Sequence, residues 1–246
     1  MMSRHLAPLF IVAVLGLAVT WASASPGDQG SLSNTVLTIR ASDGVDSASY
    51  SLLLDPVLLR NGQYFADVPS SIVFQVGQKT LASIDFLQLS YNVDPEVKLN
   101  FAVTAGANPT TFIITSALVS FATLTNPHAY CSAAVTVTDN DGNGGSLSGL
   151  FAGTKAYEAR SDLGTFADIV GLTTVAPLDS ASLSDRFPVA GYSTISGAVS
   201  SIESEFKFVL SSNDQASGTS RFEVLVPEPA TLTLLGLGLL AARLRK

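Results

Sequence analysis

Val97-Lys98-Leu99-Asn100-Phe101-Ala102-Val103-Thr104 places apolar residues at alternate positions. That is the period of a β-strand with one face turned to a core. Short runs of the same kind, rich in β-branched residues, recur at 35–39, 49–54, 72–76, 111–121, 133–138, 205–210 and 220–226. Between them stand Asp43-Gly44, Asp55-Pro56, Asn61-Gly62, Asp94-Pro95, Asn108-Pro109 and Asn126-Pro127, dipeptides that favour turns. Strands at this spacing predict an all-β chain: a β-sandwich, jelly-roll-like or immunoglobulin-like, over residues 33–226, with a barrel as the less favoured alternative. Two segments, 79–89 and 196–205, have room for a helical turn, and Gly, Ser and small apolar residues obscure the period across 146–200. The last two runs, joined by a polar loop containing Asn213-Asp214, look like a terminal hairpin.

Composition agrees with an extracellular β protein. Of the 246 residues 47% are hydrophobic and only 13% charged, against a usual charged share of roughly 25%. The formal net charge is −7, and setting aside Arg4, Arg243, Arg245, Lys246 and Glu228 in the end segments leaves nine basic against nineteen acidic groups, a net of −10 for residues 25–226. So acidic a body repels phosphate backbones, and nucleic acid is not an expected partner. Cys131 is the only cysteine, which excludes an intramolecular disulfide.

The ends carry targeting information. Residues 1–24 read as a signal peptide: Arg4 supplies positive charge, residues 6–19 are an apolar run, and Ala22-Ser23-Ala24 is a small-x-small cleavage site, with the cut expected after Ala24. A polar linker follows at 25–32. At the other end Pro227-Glu228-Pro229 precedes an uncharged stretch at 231–242, and the chain closes on Arg243-Leu244-Arg245-Lys246. The prolines stop the preceding strand, because proline lacks the amide donor a ladder needs. The basic end resists translocation, leaving it on the cytoplasmic side and the body outside. Residues 230–242 span 13 positions, about 20 Å as a helix against a hydrocarbon core of about 30 Å, and snorkelling of Arg243 and Arg245 covers part of the difference.

Pro227-Glu228-Pro229, an apolar segment and a basic terminus, in that order, resemble the PEP-CTERM sorting signal of Gram-negative bacteria. The resemblance covers residues 227–246. It implies recognition by an exosortase-type transpeptidase, processing near the Pro-Glu-Pro motif, a membrane-anchored precursor held by a transmembrane helix, and residence at the cell surface or in an extracellular exopolysaccharide matrix. Pro227, Glu228, Pro229, Arg243, Arg245 and Lys246 then act as substrate features of the sorting enzyme.

The sharpest local motif in the body is Asp139-Asn140-Asp141-Gly142-Asn143-Gly144. Oxygens of Asp139, Asp141 and Asn143 at alternate positions suit a calcium ion, and glycine permits the sharp turn. Position 12 of an EF-hand loop is Leu150 rather than Glu, so a standard EF-hand is excluded, and a polar hairpin loop is the plainer reading. His128 and Cys131 are three apart, but a small cysteine among alanines suits core packing better than nucleophilic chemistry. Gly145-Ser146-Leu147-Ser148-Gly149 has leucine where a nucleophile elbow needs serine. Glu203 and Glu205 share one strand face, read as a solvated acidic face, and Tyr50, Tyr64, Tyr91, Tyr130, Tyr157 and Tyr192 are candidates for a sugar platform. No catalytic motif emerges. The expected function is therefore a structural or interaction role at the cell surface, the alternatives being a carbohydrate-binding module and a carboxylate-dependent glycan hydrolase.

Overall fold

Strand periodicity runs through the computed structural model, which describes residues 34–60, 62–68, 71–92 and 95–225. The predicted signal segment and sorting tail lie outside the described residues. The strands are β1 (Thr35–Ser42), β2 (Ser47–Leu53), β3 (Leu59–Arg60), β4 (Gln63–Val68), β5 (Ile72–Val76), β6 (Lys79–Asn92), β7 (Glu96–Ala105), β8 (Thr110–Ser116) and β9 (Val119–Thr125), then β10 (His128–Thr138), β11 (Gly145–Gly149), β12 (Tyr157–Ser161), β13 (Gly164–Ile169), β14 (Thr173–Val175), β15 (Ser180–Phe187), β16 (Ser193–Thr194), β17 (Ala198–Leu210) and β18 (Gln215–Leu225). Short 3₁₀ turns occupy Pro56–Leu58 and Ala152–Thr154. No helix among the described residues is long and apolar enough to cross a membrane.

The strands form two antiparallel sheets in a sandwich-like arrangement. In the first the order is β13-β12-β17-β8-β1-β2, with β9 and β11 also pairing with β17 and β14 with β11; in the second it is β15-β10-β18-β7-β6-β4-β3, with β16 on β10 and β5 on β6. Alternation explains why the sheets face each other. In β7 the side chains of Val97, Leu99, Phe101 and Val103 are buried while Lys98, Asn100 and Thr104 lie on the outer face. Phe101 meets Phe206 of the first sheet edge-on at 4.9 Å between ring centroids and stacks on Phe208 at 5.9 Å. Buried residues of both sheets belong to one continuous core.

Both expected helical turns are strands, for one reason. In β6 the register against β7 shifts between Ile84 and Phe86 and the register against β5 skips Leu81, so the inward residues Leu81, Ile84 and Leu87 fall three apart, the spacing of a helix face. In β17 the inward face changes phase at Ser201 and Ile202, which are both buried, leaving Val199 and Ile202 three apart where the pairing with β9 is irregular. The single run at 111–121 is two strands, β8 and β9. The expected terminal hairpin is also corrected: β17 lies in the first sheet and β18 in the second, so residues 211–214 cross between sheets. The loop at 139–144 is likewise a crossover, from β10 to β11, rather than a hairpin turn.

Tyr91 ties the layers together. Its hydroxyl, carried by the second sheet, donates to Val36 O and accepts the Ala117 N–H at 2.7 Å from the first. The Ala117 amide also bonds Val36 O directly at 2.8 Å, so Tyr91→Phe leaves neither backbone group without a partner. The expected loss is that of a net buried hydrogen bond, about 1 kcal/mol, measured by urea denaturation; an unchanged midpoint would contradict this role.

Candidate functional site

Several crossovers between the sheets meet at one end of the sandwich. Ala105 N donates to Asp214 O and Asn213 N to Gly106 O, joining the β7–β8 and β17–β18 corners, while Asp139 N donates to Asp179 O beside the β14–β15 corner. This packing gathers the carboxylates of Asp139, Asp141 and Asp214, with one oxygen from each lying within 4.8 Å of the others. Asp139 and Asp214 are buried and Asp141 is exposed. No ion pair joins any of the three to a basic side chain among the described residues.

Each carboxylate has backbone or side-chain donors. Asp139 accepts the Leu178, Gly142 and Gly144 amides, the last two at 3.0 and 3.2 Å. The Leu178 amide, with lesser help from Gly142, holds its carboxyl below the usual range against the opposing effect of burial. Gly142 and Gly144 adopt φ of 82° and 87°, the left-handed conformation that glycine supplies without strain. Burial pushes the Asp214 carboxyl up; donors Ser211 and Asn140 oppose this, and repulsion from Asp139 and Asp141 adds to it. Asn143 donates its side-chain amide to Asp141 at 2.8 Å. The converging group is therefore Asp139, Asp141 and Asp214, with Asn143 bracing Asp141. Sequence spacing within one loop gave no sign of Asp214; its only signal was the Asn213-Asp214 turn.

The other candidates separate. His128 is exposed at the start of β10, with Nδ1 3.3 Å from Thr194 Oγ1, whereas Cys131 is buried. An odd separation in a strand sends the two to opposite faces, and burial pushes the Cys131 thiol up to about 12, the reverse of what a nucleophile needs. Leu147 of β11 is fully buried. Tyr64, Tyr91 and Tyr157 belong to the core, and Tyr50 is half-buried. Tyr130 and the more exposed Tyr192 meet edge-on at 5.2 Å on the outer side of the second sheet.

Glu203 and Glu205 do share a face, but it is not simply solvated. Arg160 of β12 reaches Glu205 at 2.9 Å, Glu203 at 3.0 Å and Glu158 at 3.5 Å. Thr115 Oγ1 donates to Glu205 at 2.9 Å and Thr165 Oγ1 to Glu158. Burial pushes the Glu203 carboxyl up while Arg160 pulls it down. Three half-buried or buried carboxylates on one guanidinium tie β12 to β17 across the ladder.

The C-terminal segment carries the PEP-CTERM protein-sorting motif: residues 225–246 match that family's model. The motif marks an exported protein that is processed by an exosortase-type enzyme and sorted to the cell surface. No curated protein matches the chain.

Proposed function

We propose that this is a non-enzymatic structural or interaction protein, a β-sandwich displayed outside the cell and embedded in or facing extracellular polymer. The observation that carries the reading is the sorting motif at 225–246. The chain enters the export route through a signal peptide cut after Ala24, is held as a precursor by residues 230–242 with the basic terminus on the cytoplasmic side, and is then delivered outward. N-terminal sequencing of the exported protein is expected to begin at Ser25. Recovery of a mature form that retains residues 6–19 would overturn the export step.

A second proposal concerns calcium at the crossovers. It is supported by three carboxylates with one oxygen each within 4.8 Å of the others, two of them buried, and with no basic side chain in ion-pair contact among the described residues. A hard cation suits oxygen donors of this kind, and binding to the native state raises the melting temperature by mass action. Millimolar calcium is expected to raise the melting temperature of wild type but not of Asp141→Ala, the variant chosen because Asp141 is exposed and Asp139 and Asp214 hold the corner itself. An unchanged wild-type melting curve, or an equal shift in both proteins, leaves the cluster a purely structural corner.

A further inference from the structure

The outer face of the second sheet is built from short polar side chains that run in rows across the strands. Thr136 pairs with Ser182 at 2.8 Å and Thr138 with Ser180 at 2.9 Å, hydroxyl to hydroxyl across the β10–β15 ladder. Farther along the same ladder the pattern changes. Ser132 and Ser184, with Thr219 of β18, line a groove of about 490 Å³, and none of these three hydroxyls has a side-chain partner among the described residues. Ala133, Ala134 and Val189 supply its apolar surface, and its charged lining is Arg186 together with Asp185, whose carboxylate is engaged by Lys155 at 3.8 Å. A groove of this volume falls in the range of small-ligand sites.

Arg186 is fixed but not neutralised. Its Nη2 donates to Gly191 O at 2.9 Å, its guanidinium carbon lies 4.7 Å from the centroid of the Tyr130 ring, and it forms no ion pair among the described residues. Arg221, also against Tyr130 at 5.4 Å, contrasts with it: Glu96 and Glu223 both pair with Arg221. An oriented guanidinium shielded on one face by an aromatic ring favours a planar anion, especially a carboxylate that takes two parallel N–H bonds. Three unpaired hydroxyls beside it favour a ligand that itself carries hydroxyls.

We infer that this groove binds a carboxylate-bearing saccharide, with its acid group on Arg186 and its hydroxyls on Ser132, Ser184 and Thr219. A neutral sugar satisfies the hydroxyls but not the guanidinium; an acidic peptide satisfies the guanidinium but leaves the hydroxyls unused. The inference rests on the reading of the sandwich as facing extracellular polymer, yet it stands apart from sorting, because delivery is followed by fractionation and binding by titration of the purified chain.

The test is calorimetric titration of the full chain in detergent micelles with three probes: tetragalacturonate, galactotetraose and tetraglutamate. Tetragalacturonate is expected to bind on the order of tenfold more tightly than either of the others. Arg186→Gln should lower its affinity by about tenfold, to that of the neutral sugar, in line with the loss of a charge-assisted hydrogen bond. Ser184→Tyr, on an exposed edge-strand position, should fill the groove and abolish binding with the melting temperature unchanged, while Lys207→Gln on the opposite sheet should leave affinity as it was. Absence of tetragalacturonate binding, equal binding of galactotetraose, or an Arg186→Gln variant that binds like wild type would overturn the proposal. Equal binding of tetraglutamate would overturn it in favour of an acidic peptide.

Discussion

Replacing Pro227, Glu228 and Pro229 together by alanine is expected to leave the chain as an unprocessed, membrane-held precursor in a host that contains an exosortase. The change removes the proposed recognition element while keeping the apolar stretch and the basic end that are proposed to hold the chain in place. Neutralising Arg243, Arg245 and Lys246 should fail differently. Without charges that oppose translocation, the tail loses its stop, and stable membrane retention is lost although the Pro-Glu-Pro motif is intact. Fractionation followed by intact mass measurement distinguishes the two outcomes. A triple-alanine variant trimmed and delivered like wild type would reduce the tail to a plain anchor.

Phe101→Ala is expected to be the most damaging single change in the sandwich. The ring is 2% exposed and packs against Phe206 and Phe208 of the facing sheet. Its removal opens a cavity between the layers, and deletion of a buried phenylalanine costs about 3–5 kcal/mol, a large share of the 5–15 kcal/mol typical of a whole domain. Within its own sheet Phe101 lies opposite Gly218, where an added Cβ would sit 2.4 Å from the ring. That close approach explains a glycine in a central strand, normally an unfavourable place for one. Gly218→Ala should therefore cost about 1–3 kcal/mol by overpacking, and adding Phe101→Leu should return part of the loss, since the smaller side chain admits the methyl group. Urea denaturation of the four proteins reads the coupling; strictly additive losses would contradict direct contact.

How far the sequence announced this fold follows from its strands. Regular alternation at 97–104, 72–76 and 205–210 corresponds to β7, β5 and the second half of β17. It failed where the inward face changed phase, through the extra residue of β6 between Ile84 and Phe86 and at the irregular β17–β9 pairing around Val199–Ser201, because such a change reproduces helical spacing of the inward side chains. Partners were harder to read than strands. Nothing local distinguishes residues 211–214 as a crossover rather than a hairpin turn, since turn chemistry suits both, and the choice is made by which sheet has room for β18 between β10 and β7. The acidic corner was half legible for the same reason: Asp139 and Asp141 share a loop, whereas Asp214 reaches them only through the strand order. Arg186 and its groove were invisible in sequence, because their hydroxyls come from three strands brought together by the ladder.

The central claim is that this chain is a sorting substrate delivered to the cell surface. Its most direct test is the intact mass and location of the wild-type chain expressed in one host with an exosortase and in the same host without it. With the enzyme, the chain should appear at the surface or in the medium with Ser25 at its N-terminus and a C-terminus within or beside Pro227–Pro229; without it, the chain should stay in the membrane fraction ending at Lys246. The same mass and the same location in both hosts would contradict the account.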